Sequence, residues 1–401
     1  MTWAAASVLS EAFGEPTADS AHAQVSAAGS SPDSLNALAK ARGLAFGSAL
    51  GMGCKGQPQV PSLAPFLSRP PTYTDPQMRA LFLSQCGILV PENELKLYTL
   101  RPDAKTFDFE RADLLIEFCH QHSLAMRGHT LLWNRTKWIP EWINAYDFGS
   151  RPATTAERML REHIGAVCRR YGNRVFSYDV INESIAPATG ELEASPFTKV
   201  LGADVVDICF HAAREAAPNA ELVYNDYMSW SRTGDVHRSG VLKILERMRK
   251  NNVPVDVLGI QSHVGSDGLG GSTGLLGDAD LIAWRKFLDE VTKIGLGLAI
   301  TEFDVDDQSV SGTIAERDQI VADNGKAYLD IMLSYRELRY VMAWGIVDKF
   351  SWLQRRAPRA DGLPKRCTPY DDDFQSKPLR QAMVRSFSAA PFRPARIIKT
   401  A

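Results

Sequence analysis

Eight apolar runs of strand length, alternating with stretches of helical periodicity, constrain the fold of this chain more than any other feature of it. The runs are Leu44–Leu50, Ile88–Asn93, Ala125–Trp133, Val175–Asn182, Glu221–Asp226, Val257–His263, Gly297–Phe303 and Tyr340–Val347. Apolar residues at helical spacing fill Asp75–Cys86, Glu110–His122, Thr154–Tyr171, Val200–Ala216, Val236–Lys250, Ala279–Ile294 and Ile314–Arg336, with a final helix over Pro378–Phe387. A strand followed by a helix returns to a parallel neighbour, so eight such units predict an α/β fold, a closed (β/α)8 TIM barrel with its helices outside. An open doubly wound sheet is the structural alternative. Gly51-Met52-Gly53 lacks the third glycine and the following helix that a dinucleotide loop in such a sheet would show. The predicted organisation is a leader over 1–32, one barrel domain over 33–390 and a tail over 391–401.

Composition narrows the function. With 47 acidic against 45 basic residues there is no cationic surplus to neutralise phosphates, which argues against nucleic acid as a partner. No apolar stretch reaches the roughly 18 residues of a membrane span. The six cysteines, Cys54, Cys86, Cys119, Cys168, Cys209 and Cys367, form no C-x-x-C pair, so neither zinc nor any other cofactor is expected. Cys119, Cys168 and Cys209 lie in helical stretches and read as buried free thiols. No Lys or Arg precedes Lys40, yet Ala21-His22-Ala23 has the small-x-small form of a signal cleavage site. A cleaved signal and a disordered Ala/Ser-rich leader are both compatible with this segment.

The strand ends carry the chemistry, as barrel strands do at their C-termini. They read Glu92-Asn93-Glu94-Leu95-Lys96, Gly128-His129-Thr130-Leu131-Leu132-Trp133-Asn134, Asn182-Glu183, Asn225-Asp226-Tyr227, Gln261-Ser262-His263, Thr301-Glu302-Phe303-Asp304 and Trp344. Glu183 and Glu302 stand out, because paired carboxylates across a cleft are what glycoside hydrolysis requires: one acid, one nucleophile or base. Retention asks for a separation of roughly 5 to 5.5 Å and inversion for more than about 6.5 Å. Asp304, two residues beyond Glu302, projects to the same side of its strand. Trp133, Trp344 and Trp352 offer flat apolar faces for sugar rings. His120 and His122, two apart on a helix, cannot face one ligand together. His163, His211 and His237 read as outer-ring residues, and Asn225 as a support of the barrel wall.

Several of these segments resemble the motifs of glycoside hydrolase family 10, the retaining endo-β-1,4-xylanases, in the family's order and over roughly Leu35 to Phe387. Tyr178-Asp179-Val180-Ile181-Asn182-Glu183 is similar to the acid/base motif, and Ile300-Thr301-Glu302-Phe303-Asp304 to the nucleophile motif. Arg127-Gly128-His129-Thr130-Leu131-Leu132-Trp133, Gln261-Ser262-His263 and Trp344-Gly345-Ile346 also match. The resemblance implies Glu183 as acid/base, Glu302 as nucleophile, and His263 with Asp304 as the pair that orients it. It implies Asn182 on the sugar 2-hydroxyl, and Glu92, Asn93, Lys96, His129 and Gln261 as further sugar ligands. Tyr227 and Arg355 are expected at the rim. Asn134 stands where the family usually has histidine and is expected to tune the site; Phe303 replaces the usual leucine. The implied substrate is xylan, cleaved by a secreted or periplasmic monomer. The same machinery on a β-glucan, or a non-catalytic polysaccharide-binding barrel, stays open at this point.

Overall fold

The computed structural model describes residues 31–53, 71–265, 277–356, 358–396 and 398–401. Cys54 and nearly all of the expected leader, including Ala21-His22-Ala23, lie outside these residues. The barrel strands are β1 (Phe46–Leu50), β2 (Ile88–Pro91), β3 (Ala125–Gly128), β4 (Ser177–Asn182), β5 (Glu221–Asp226), β6 (Val257–Ile260), β7 (Gly297–Val305) and β8 (Leu338–Ala343). Each pairs in parallel with the next, and β8 pairs with β1, which closes the barrel. Two predicted strands are interrupted. The third stops at Gly128 and resumes as Leu132–Trp133 against β4; the sixth stops at Ile260 and resumes as His263–Val264 against β7.

Alternation along the strands sorts the side chains. Phe46, Leu89, Met126, Leu222, Leu258 and Val341 join the large cluster shared with the helices. Ala49, Val90, Val223, Val257, Ala299, Tyr340 and Met342 form a second, smaller cluster. These are the side chains of opposite parity, which fill the barrel itself. The pairing between β7 and β8 slips near the strand ends: Ile300 faces Val341 but Phe303 faces Ala343, so β7 carries one extra residue. A bulge of this kind re-aims a side chain. Thr301 and Glu302 are consecutive, yet both reach Asn225 of β5.

The main outer helices are α1 (Leu35–Lys40), α2 (Pro76–Gln85), α3 (Glu110–Gln121), α4 (Pro152–Tyr171), α5 (Asp204–Ala216), α6 (Asp235–Lys250), α7 (Asp278–Lys293), α8 (Ile314–Ser334) and α9 (Pro378–Ala389). The single helix predicted over Val200–Ala216 is two, Pro196–Leu201 and α5, because Gly202 turns left-handed at φ +58° between them. The five described cysteines are buried and free. Beyond α9 the chain crosses the foot of the barrel. Buried Arg393 donates to the carbonyls of Leu333 and Tyr335, both at 2.6 Å, and Ile398 packs on the inner cluster. Among the described residues no helix is long and apolar enough to cross a membrane.

Candidate active site

Glu302 is buried where β7 bulges inward. His263 bridges it to its neighbour, with Nε2 3.3 Å from Glu302 Oε2 and Nδ1 2.8 Å from Asp304 Oδ1. Asp304 is fixed in turn by the Trp352 indole N–H at 2.7 Å. Burial alone would raise the Glu302 carboxyl. The His263 hydrogen bond and the charges of His129, His263 and Lys96 overcome it and lower the pKa to about 2. Burial likewise works against the His263 cation, but Asp304 and then Glu302 raise its pKa to about 10.

Glu183 follows the last residue of β4 and adopts φ +50°, in the left-handed region that few glutamates occupy. Its Oε1 accepts from Gln261 Nε2 at 3.0 Å. The same amide lies 3.3 Å from Asn182 Oδ1, which also accepts from Asn225 Nδ2 at 2.9 Å. Asn225 Nδ2 reaches Glu302 Oε1 at 3.0 Å. Three amides therefore join the two carboxylates without a gap. Asn225, read from sequence as a wall residue, is the middle of that chain. Its room comes from Gly259, where an added Cβ would lie 2.4 Å from Asn225 Oδ1.

The other face of Glu183 meets a residue the sequence did not single out. Arg135 Nη1 donates to Glu183 Oε2 at 3.0 Å and to the Tyr227 hydroxyl at 3.1 Å, while Nη2 pairs with Glu193 at 2.8 Å. No pattern marks an arginine in a loop after a broken strand as special. Position 134 is a correction. Asn134, expected to tune the site, is fully buried; its amide donates to Thr198 Oγ1 at 3.0 Å and accepts from Ser195 Oγ at 2.7 Å. Ser195 caps the helix Pro196–Leu201, so both polar atoms of the Asn134 side chain are spent on anchoring that helix.

The remaining expected residues gather around the same mouth. His129 Nδ1 lies 2.8 Å from Asp179 Oδ2 and 4.0 Å from Glu302 Oε1, and its ring meets Trp344 edge-on at 5.3 Å. A cis peptide bond joins His129 to Thr130. Lys96 sits above Trp133 at 4.8 Å and Trp344 at 5.7 Å, and its Nζ is 3.4 Å from Asn93 Oδ1. Glu92 is buried and accepts from Thr72 Oγ1 at 3.0 Å. Trp133 stacks on Trp138 at 3.9 Å, so only part of its face is open to a ligand. Arg355 is exposed, whereas its neighbour Arg356 lies over Trp352 at 5.1 Å. His163 and His237 lie on the outer helices, as expected, with their side chains buried. His163 bonds the Leu131 carbonyl at 3.0 Å, and burial drops its pKa to about 3; His237 packs against Asp226 at 3.3 Å and Tyr227. Among the described residues no group of three or more His, Cys, Asp or Glu side chains is arranged to hold a metal ion.

This geometry sets two carboxylates, linked through amides, at the C-terminal ends of the barrel strands, with Trp352 bonded to Asp304 and Trp344 against His129. The model of glycosyl hydrolase family 10 matches residues 34–386. The chain belongs to that family. Its curated relatives include endo-1,4-beta-xylanase 3 of Hypocrea jecorina, 30% identical over 306 residues, 76% of this chain and 76% of the relative. Endo-1,4-beta-xylanase A of Caldicellulosiruptor saccharolyticus is 28% identical over 68% of this chain and 79% of its own length. Among solved structures, native xylanase 10B from Thermotoga maritima superposes with a TM-score of 0.74 at 25% identity, covering 88% of this chain and 98% of that one. Xylanase 10B from Thermotoga petrophila RKU-1, in complex with xylobiose, gives 0.73 at 25% identity over 88% of this chain and 97% of its own.

Proposed function

We propose that this protein is a retaining endo-β-1,4-xylanase acting through a covalent glycosyl-enzyme. The carrying observation is the asymmetry of its two carboxylates. Glu302 is tied to His263 and kept ionised, as a nucleophile must be, whereas Glu183 stands across the amide chain beside Arg135 and Tyr227. Glu302 attacks the anomeric carbon as Glu183 delivers a proton to the departing oxygen. Once Glu302 is esterified, Glu183 takes a proton from water, which attacks the same carbon and restores the original anomer. Asn182, held between Gln261 and Asn225, is oriented to accept or donate at the 2-hydroxyl as charge develops on the sugar. Lys96, His129, Glu92 and Asn93 supply directional hydrogen bonds suited to an uncharged pyranose, and Trp344 and Trp352 supply apolar faces.

The barrel, residues 33–390, is the catalytic unit in this reading, and it works as a monomer. A polymer too large to cross a membrane requires an enzyme outside the cytoplasm, so the leader is read as an export segment. Purified protein assayed on xylan, mixed-linkage glucan and cellulose tests the proposal. Xylan is expected to be cut internally, with the β-anomer appearing first by NMR. No cleavage of xylan, or the α-anomer first, overturns it. Glu302→Ala should lower kcat on xylan by about 10⁴-fold or more while leaving the fold intact.

A further inference from the structure

Arg135 poses a difficulty for the proposed proton donor it touches. Its Nη1 lies 3.0 Å from Glu183 Oε2, and a guanidinium that near stabilises a carboxylate over its acid. Yet Glu183 has to carry a proton when the glycosidic bond breaks. The counterweight sits on the other prong of the same fork, where Nη2 lies 2.8 Å from Glu193. Two loops bring this second carboxylate in. After Glu183 the chain runs out and back: Ile185 bridges antiparallel to Leu192, Ala186 N donates to the Glu191 carbonyl, and Glu193 N donates to that of Ser184, both at 2.8 Å. Thr136 ties the Arg135 loop to the returning segment, its hydroxyl donating to the Ala194 carbonyl at 2.7 Å. Side-chain exposure is 21% for Arg135, 19% for Glu193 and 9% for Glu183, so water screens none of the three fully. Burial works against the Arg135 cation, but Glu183 first, then Tyr227 and Glu193, raise its pKa and keep it charged.

One cation between two carboxylates has a partner whichever way the proton goes. With Glu183 ionised, Arg135 serves both. With Glu183 protonated, Glu193 alone neutralises Arg135, and no poorly solvated charge is left unpaired. We propose that Arg135 and Glu193 are a positioning pair for the proton cycle of Glu183: Arg135 grips Oε2 in the base form, and Glu193 holds the guanidinium while Glu183 carries the proton. The inference rests on the acid/base role given to Glu183 above. In the first step Glu183 passes its proton to the departing oxygen, becomes an anion and gains the Arg135 bond. In the second, water gives a proton to Glu183 and its oxygen to the anomeric carbon, Glu302 is released as a carboxylate, and Arg135 falls back on Glu193. The other groups around Glu183 have different tasks. The Tyr227 hydroxyl accepts from Arg135 at 3.1 Å, and burial, then Glu183, push its pKa up to about 12, so it stays neutral. Asp226 is held by the Tyr224 hydroxyl at 3.0 Å and His237 at 3.3 Å, and Gln261 is uncharged. The fields of Lys137 and Arg356 also reach Glu183, but among the described residues neither bonds it.

The test is the pH profile of kcat/KM on an unbranched xylo-oligosaccharide, whose alkaline limb reports loss of the proton from the acid. Arg135→Gln removes the cation, and the limb should move up by about half a pH unit or more. Glu193→Gln leaves Arg135 to Glu183 alone, and the limb should move down by about as much. The double variant removes one charge of each sign and should bring the limb back to within about 0.3 pH unit of the wild type. Arg135→Lys keeps the charge and changes the packing, so its limb should also stay near the wild-type position. Loss of packing alone would not drive the two single variants in opposite directions. Limbs that stay put in both, or that move the same way, overturn the pair while leaving the xylanase reading standing. A wild type that cleaves no xylo-oligosaccharide overturns both.

Discussion

Glu302 occupies a place where burial alone would protonate it, and a single histidine reverses the outcome. With its carboxyl at about 2 and His263 at about 10, the pair is a carboxylate and an imidazolium across the neutral range. The linkage to stability has two limits. His263 binds its proton more tightly when folded, so its contribution is complete below the unfolded value near 6.5 and disappears as pH rises through about 10. Glu302 binds its proton less tightly when folded, so its contribution is complete above about 4.5 and disappears as pH falls through about 2. His263→Gln removes the cation and leaves burial unopposed. The acid limb of the kcat/KM profile on xylan should then move upward by about one pH unit or more. The wild type should exceed the variant in thermal stability most between pH 4.5 and 6.5, with the gap narrowing on either side. An unmoved acid limb would mean that His263 does not set the charge of Glu302.

The elements show which parts of this site could be read in advance. Strand ends were legible because apolar runs of the right length stop at polar residues, and that places Glu183, Glu302, Gln261 and His263 at one mouth of a barrel. The bulge in β7 was not legible, since a period of two describes a regular strand and one extra residue breaks it without a sequence mark. The orientation of Asn134 was also hidden. A residue between a short strand and a loop can turn either way, and here the Ser195 cap of the next helix decides it. Arg135 owes its place beside Glu183 to loop geometry, which composition does not encode. Asn134→Ala should consequently act on stability more than on chemistry. Unpairing Ser195 and Thr198 is expected to cost about 1 to 2 kcal/mol in denaturant unfolding, with kcat changed by less than about twofold. A large loss of kcat without loss of stability would return Asn134 to the sugar ligands.

At the scale of the whole molecule, the barrel is closed three times over: by the pairing of β8 with β1, by α9 packing on α1 and α8, and by the segment across the foot. Arg393 anchors the last of these, with Nη1 donating to the Pro391 carbonyl and Nη2 to those of Leu333 and Tyr335. Arg393→Ala should lower Tm by roughly 5 °C, read by calorimetry, while kcat on xylan at moderate temperature stays close to wild type. The backbone at Glu183 connects this scale to the chemistry. A left-handed glutamate relaxes as soon as its surroundings let it, at a gain of about 1 to 3 kcal/mol. The proposed proton donor is thus a spring kept cocked by the walls around it, and warming should silence the enzyme some degrees before the barrel itself comes apart.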